Sequence, residues 1–198
     1  MANFEKSEIE KLLKIPGEVR GVVFKTDAEF ILKEKGEEEL KKLESELEKK
    51  SCPIKYSNLQ SMNFYPIGLR VVSLLAIKNI FGFDDEKIKE MGSFAPKISL
   101  IIKFFMQYFL SLEKTVKELS KIWKEHYTVG DLQSVTVDEK NKIIILRLEG
   151  ADFDPIFCCY LTGYMREVMS MVVGGKVSCQ ETKCTFQGDM CHEYSFTW

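Results

Sequence analysis

The chain has 198 residues, 45% of them hydrophobic and 29% charged, with a formal net charge of −2. That is enough for one domain with its own core, and too hydrophobic for a chain that stays disordered. The balanced charge excludes a bulk basic field for nucleic-acid phosphates or an anionic membrane surface.

Met1 to Lys14 is charged and lacks the apolar run of a leader. An amphipathic helix is expected within residues 1–17, carrying Ile9, Leu12 and Leu13 and stopping near Pro16-Gly17. It would form an N-terminal extension of a single domain. Val19 to Phe24 is β-branched and apolar and predicts a strand. Asp27 then caps a helix running from Ala28 to Lys50, weakened at Gly36. Its Glu37–Lys41, Glu38–Lys42 and Glu46–Lys50 pairs fit a solvated face.

A short strand is expected at Ile54 to Tyr56. Helices follow over Gly68–Phe81, from Asp84-Asp85 to Met91, over Ile98–Leu110 and over Leu112–Tyr127. The stretch Ile98 to Leu112, broken by Lys103 and Gln107, is the most apolar. It falls short of the roughly 20 residues of a membrane span, so the expectation is a cytoplasmic protein without a membrane partner. Leu132–Val137 and Lys142–Leu148 read as a hairpin around Asp138 to Asn141. A helix from Pro155 to Val173 ends at Gly174-Gly175, and strands follow at Lys176–Gln180 and His192–Thr197. The sum is α+β, an antiparallel sheet flanked by helices.

Five of the six cysteines lie beyond residue 157: Cys158, Cys159, Cys179, Cys184 and Cys191. In a reducing compartment they are thiols or metal ligands rather than disulfides. Glu181 and Cys184 sit three apart on a tight loop, and Gly188 permits the return that brings Cys191 back. Adjacent residues on a strand point to opposite faces, so Cys191 and His192 do not both ligate one ion. Cys179 shares a strand face with Glu181 and competes as a ligand. Buried free thiols are the alternative.

The order Cys158, Gly163-Tyr164, Gly174, Glu181-x-x-Cys184, Gly188, Cys191 resembles the 4-vinyl reductase domain family. That family includes the aromatic-sensing domains of phenol-responsive transcription activators and proteins linked to bacteriochlorophyll synthesis. The resemblance implies zinc held by Cys158, Glu181, Cys184 and Cys191. It also implies the ligand-binding fold shared by nitric-oxide-signalling and Golgi-transport proteins, often dimeric. Four protein ligands make a closed, structural zinc site in the C-terminal part, residues 150–198.

A small apolar or aromatic ligand would sit between the sheet and the middle helices, with Phe104, Phe105, Tyr108, Trp123, Tyr127 and Tyr164 as candidate walls. His126 shares a helix face with Trp123. The expectation is a sensor-like homodimer. The family name points to a second possibility, reduction of a vinyl tetrapyrrole with partner-supplied electrons, and the fold to a third, an assembly scaffold. No GxxxxGK[ST], GxGxxG, GxSxG or HExxH motif is present.

Overall fold

The structure is a computed structural model that describes residues 6–98 and 112–198. The predicted helix over Ile98–Leu110 lies almost wholly outside the described residues, as do the candidate wall residues Phe104, Phe105 and Tyr108.

Helix α1 (Lys6–Leu12) buries Ile9 and precedes a short strand, β1 (Glu18–Arg20). The expected strand over Val19–Phe24 is cut short: helix α2 (Val22–Lys35) begins two residues after Arg20. The β-branched signal at Val22-Val23 yields to packing, because Phe24, Phe30 and Ile31 are buried from a helix. Gly36, at φ 89°, separates α2 from α3 (Glu37–Lys49), where one long helix was expected. Such a backbone angle suits glycine and breaks the helical hydrogen-bond ladder.

No strand forms at Ile54–Tyr56; Tyr56–Asn58 is a single 3-10 turn. Instead β2 (Phe64–Pro66) pairs antiparallel with β1, Val19 opposite Tyr65. Helix α4 (Ile67–Phe81) follows at once and ends at left-handed Gly82. Gly68 lets α1 press onto α4, since a Cβ there would lie 2.1 Å from the Leu12 carbonyl oxygen. Helix α5 (Asp85–Ile98) runs well beyond Met91, carrying Pro96 inside it. The predicted Leu112–Tyr127 helix is two, α6 (Leu112–Lys117) and α7 (Leu119–His126), with Glu118 between them.

The C-terminal half follows the sequence pattern closely. Strands β3 (Asp131–Asp138) and β4 (Ile143–Glu149) form the hairpin. Helix α8 (Pro155–Val173) starts on an Asp154 cap, whose carboxylate accepts from the Ile156 N–H at 2.9 Å, and stops at left-handed Gly174. Strands β5 (Ser178–Lys183) and β6 (His192–Thr197) complete a four-stranded antiparallel sheet in the order β3-β4-β6-β5. Ile144, Leu146 and Leu148 of β4 stand beside Phe196, Tyr194 and His192 of β6 and are buried. This face takes α8, and α5 packs in turn on α8.

The α5–α8 crossing is the tightest in the molecule's described part. A Cβ on Gly163 would lie 1.8 Å from the Lys89 carbonyl oxygen, and one on Gly92 2.1 Å from that of Tyr160. Ser93 donates to the Gly163 carbonyl at 2.9 Å and accepts from Arg166 at 3.0 Å. Helix α8 is apolar and long enough to cross a membrane, yet half of it is buried inside the protein, as a core helix would be. It has two working faces, and each meets a different candidate site.

Candidate functional site

The first face of α8 borders a cavity of about 110 Å³ between the helices and the sheet. Tyr160, Leu161, Tyr164, Met165, Val168 and Met169 line it from α8, a run at helical spacing. Val22, Val23 and Thr26 of α2 close a second side, and Leu119, Ile122, Trp123 and His126 of α7 a third. Leu132 and Leu146 of the sheet form its base. Three of the expected pocket residues, Trp123, His126 and Tyr164, are therefore brought together, and Tyr127 with them.

Aromatic stacking fixes this wall. Trp123 and Tyr127 stack at 4.2 Å and 13°, and the Trp123 indole N–H is spent on the Val129 carbonyl at 2.8 Å. Tyr160 stacks on Tyr164 at 6.5 Å. Behind Tyr160, the fully buried Arg70 guanidinium stands 4.7 Å from its ring and pairs with buried Asp27. Nothing in the sequence pattern marked that ion pair, because an Arg and an Asp separated by 43 residues carry no local periodicity.

Burial sets the protonation of the lining. Desolvation lowers the His126 pKa, helped by Arg20 nearby, so the imidazole is neutral at pH 7. Burial pushes the Tyr127 and Tyr160 hydroxyls up to about 12, and that of Tyr164 upward too. The described lining holds no cysteine, carboxylate, lysine or arginine. It is an uncharged, mostly apolar chamber whose few polar groups are an imidazole and the hydroxyls of threonine and tyrosine.

The second face of α8 meets β5, β6 and the loop between them. Cys158, Glu181, Cys184 and His192 each place a donor atom within 4.8 Å of the others, a group that could hold a metal ion. The Sγ atoms of Cys158 and Cys184 are 3.6 Å apart. His192 Nδ1 is 3.7 Å from Cys158 Sγ and 2.9 Å from Glu181 Oε1, while its Nε2 meets Thr185 Oγ1 at 2.9 Å. Burial first, and the Glu181 carboxylate next, push the Cys158 thiol far above its ordinary pKa.

Cys191, expected as the fourth ligand, is outside this group, and His192 stands in its place. The alternation of a strand explains the exchange. On β6 it is His192, opposite Leu148, that faces inward with Tyr194 and Phe196, and Glu181 is opposite Tyr194 on that same side. Which of the two neighbours faces inward is set by the strand register. Cys179, opposite Phe196, lies on the Glu181 side but outside the group, and Cys159 is likewise outside it. Gly188, at φ 97°, makes the return between the two halves of the loop.

No family profile matches the chain, and no curated protein is similar to it in sequence. Its fold does have known counterparts. A mutant H-NOX protein from S. oneidensis, solved in the Fe(II) ligation state, superposes with a TM-score of 0.71 at 13% identity. The match covers 90% of this chain and 95% of that one. The Fe(II) unliganded H-NOX protein from K. algicida gives 0.61 at 11% identity over 90% and 95% of the two chains. A trafficking protein particle complex subunit 3 from Naegleria fowleri, covalently bound to palmitic acid, gives 0.50 at 16% identity over 65% and 90%. The chain thus has the fold shared by nitric-oxide-signalling and Golgi-transport proteins.

These counterparts correct the expectation of zinc. The two H-NOX structures are described with Fe(II), and a further similar structure as modulating heme redox potential through porphyrin distortion. The donor group of this chain also holds two cysteines rather than the expected three. Heme, however, does not fit the described residues either. An engineered cavity of roughly 150 Å³ holds a single benzene, and this one is smaller. Heme also brings two propionates, which must be paired when buried, and the described lining offers no cation. His126 alone would qualify there as a histidine axial ligand.

Proposed function

We propose that this chain binds a small, uncharged apolar or aromatic molecule in the α2–α7–α8 cavity and acts as a sensor-like protein. The observation that carries this reading is the chamber itself: apolar over most of its described walls, about 110 Å³ in volume, with a neutral imidazole among its few polar groups. An apolar cavity of this kind stays dry and gains free energy when filled. His126 gives an occupant a hydrogen-bond partner and so a preferred orientation.

The absence of thiols and carboxylates from the described lining favours binding over turnover. The sequence resemblance to the 4-vinyl reductase domain family, whose members include aromatic-sensing domains, supports the same reading. Helix α8 forms much of the cavity wall and also contacts the sheet, so occupancy would be transmitted to a second copy or another partner.

Thermal unfolding with toluene, as a neutral ring, and with benzoate, as its charged counterpart, tests this. Toluene should raise the melting temperature in a saturable way, by mass action on the folded state, and benzoate should not. No response to toluene, together with full exposure of Trp123 fluorescence to quenchers, would sink the reading.

A further inference from the structure

Arg70 stands outside the described cavity lining but directly behind it. It is fully buried on α4, and its partner Asp27 is buried on α2, where Asp27 Oδ1 accepts from Arg70 Nη2 at 3.0 Å. The guanidinium lies against two rings, 4.7 Å from the centre of Tyr160 and 5.7 Å from that of Phe24. Its Nε–H has no hydrogen-bond partner among the described residues. Removing one member of a buried ion pair is costly, whereas an apolar replacement of both is often neutral. Stability alone therefore does not account for this pair, and one of its members touches a cavity wall.

We propose that Arg70 and Tyr160 together set the specificity of the cavity for an uncharged aryl ketone, with the Tyr160 hydroxyl donating to the carbonyl oxygen and Arg70 holding that hydroxyl in place. The inference rests on the reading of the cavity as a binding site. Tyr160 lines the cavity, and its hydroxyl end meets Thr26, another wall residue. Thr26 spends its own proton on the Val23 carbonyl at 2.9 Å, so at this wall the tyrosine is the donor. Burial pushes the Tyr160 hydroxyl up to about 12, so it keeps its proton at neutral pH. The adjacent guanidinium draws electron density from the hydroxyl and strengthens its donation.

Asp27 decides the charge of the guest. The Arg70–Asp27 pair is neutral as a unit, so this wall offers no net positive charge to a carboxylate, which would be buried unpaired. A carbonyl oxygen needs only a donor, which Tyr160 supplies. Its ring needs only apolar walls, and Leu161, Met165 and Val168 supply those.

The test compares ethylbenzene with acetophenone, in which a carbonyl replaces one CH₂, by thermal titration of the full-length protein. Dissociation constants follow from the saturable rise in melting temperature. In Tyr160→Phe the acetophenone constant should rise about fivefold, the worth of one net hydrogen bond, while the ethylbenzene constant stays within about twofold. The carbonyl stretch of bound acetophenone should lie lower in the wild type than in Tyr160→Phe, a signature that a merely structural tyrosine would not give. The paired replacement of Asp27→Leu with Arg70→Met should weaken acetophenone selectively as well; if that variant does not fold, Tyr160→Phe decides alone. No selective loss of acetophenone in either folded variant, or an unshifted carbonyl stretch, would overturn the proposal and leave the cavity reading standing. Failure of the wild type to bind either ring would overturn both.

Discussion

The two faces of α8 make opposite kinds of site from one helix. Its cavity face gathers side chains from several elements, from Val22 to Met169, and keeps them uncharged. Its other face meets residues drawn from one short stretch, Cys158 to His192, and packs donor atoms within 4.8 Å. A cavity keeps space unfilled next to apolar walls, so its residues must hold one another apart by stacking and backbone contact. The donor cluster closes space, so its residues satisfy one another: His192 is engaged at both ring nitrogens. The first face is suited to binding a neutral guest and the second to holding the helix to the sheet.

Because α8 serves both, the largest effect should come from the residue that seats the helix. Gly163→Val would drive a side chain into the Lys89 backbone, only 1.8 Å from where a Cβ would sit. We expect a loss of about 3 kcal/mol or more, a fall of roughly 6–12 °C in melting temperature, with toluene response and the Cys158–Cys184 contact failing together. If only one fails, the helix is not their common support.

Substitutions on one face should leave the other alone. His192→Ala removes the partner of Glu181 and should cost about 1–3 kcal/mol, seen in denaturant unfolding, while the toluene response of the folded protein persists. Val168→Trp fills the cavity from α8. It should abolish the toluene-induced shift for a stability change within about 1–3 kcal/mol, and leave the Cys158–Cys184 distance, read by disulfide trapping, unchanged. Coupled losses in these variants would merge the two sites into one.

The sequence revealed these regions unequally, for physical reasons. Helices with strong starts and stops were legible: Pro155 and Gly174 bracket α8, and Gly82 ends α4. The hairpin and β6 were legible from alternation and turn chemistry. The breaks inside helical patterns, at Gly36 and at Glu118, were harder to place, because local propensity there permits continuation. Strand β2 was hidden because Phe64–Pro66 is three residues long and forms only when β1 lies beside it. In the donor cluster, Glu181 and Cys184 stood out by spacing and Cys158 by the family resemblance, while the choice between Cys191 and His192 rested on which side β6 turns inward. In the cavity, Trp123, His126 and Tyr164 were found as aromatic or imidazole side chains at helical spacing. Leu161, Met165, Val168 and Met169 went unnoticed although their period along α8 was visible, and Arg70–Asp27 had no sequence signal at all.

The smallest expected effect isolates the one histidine of the described cavity lining. Burial, and then the nearby Arg20, lower the His126 pKa below its ordinary 6.5. Between the folded and unfolded values the unfolded chain binds more protons, so stability rises with pH. The neutral-imidazole contribution is therefore complete above about pH 6.5 and is lost as the pH falls below it, until the folded pKa is reached. His126→Gln should flatten the melting-temperature profile on the acid side of about pH 6.5 while leaving the profile above about pH 7.5 unchanged. Toluene should still bind the variant, because the apolar walls supply its affinity, whereas a ring bearing a hydroxyl should lose the most. An unchanged acid limb in His126→Gln would show that the pH dependence does not originate on the cavity face of α8.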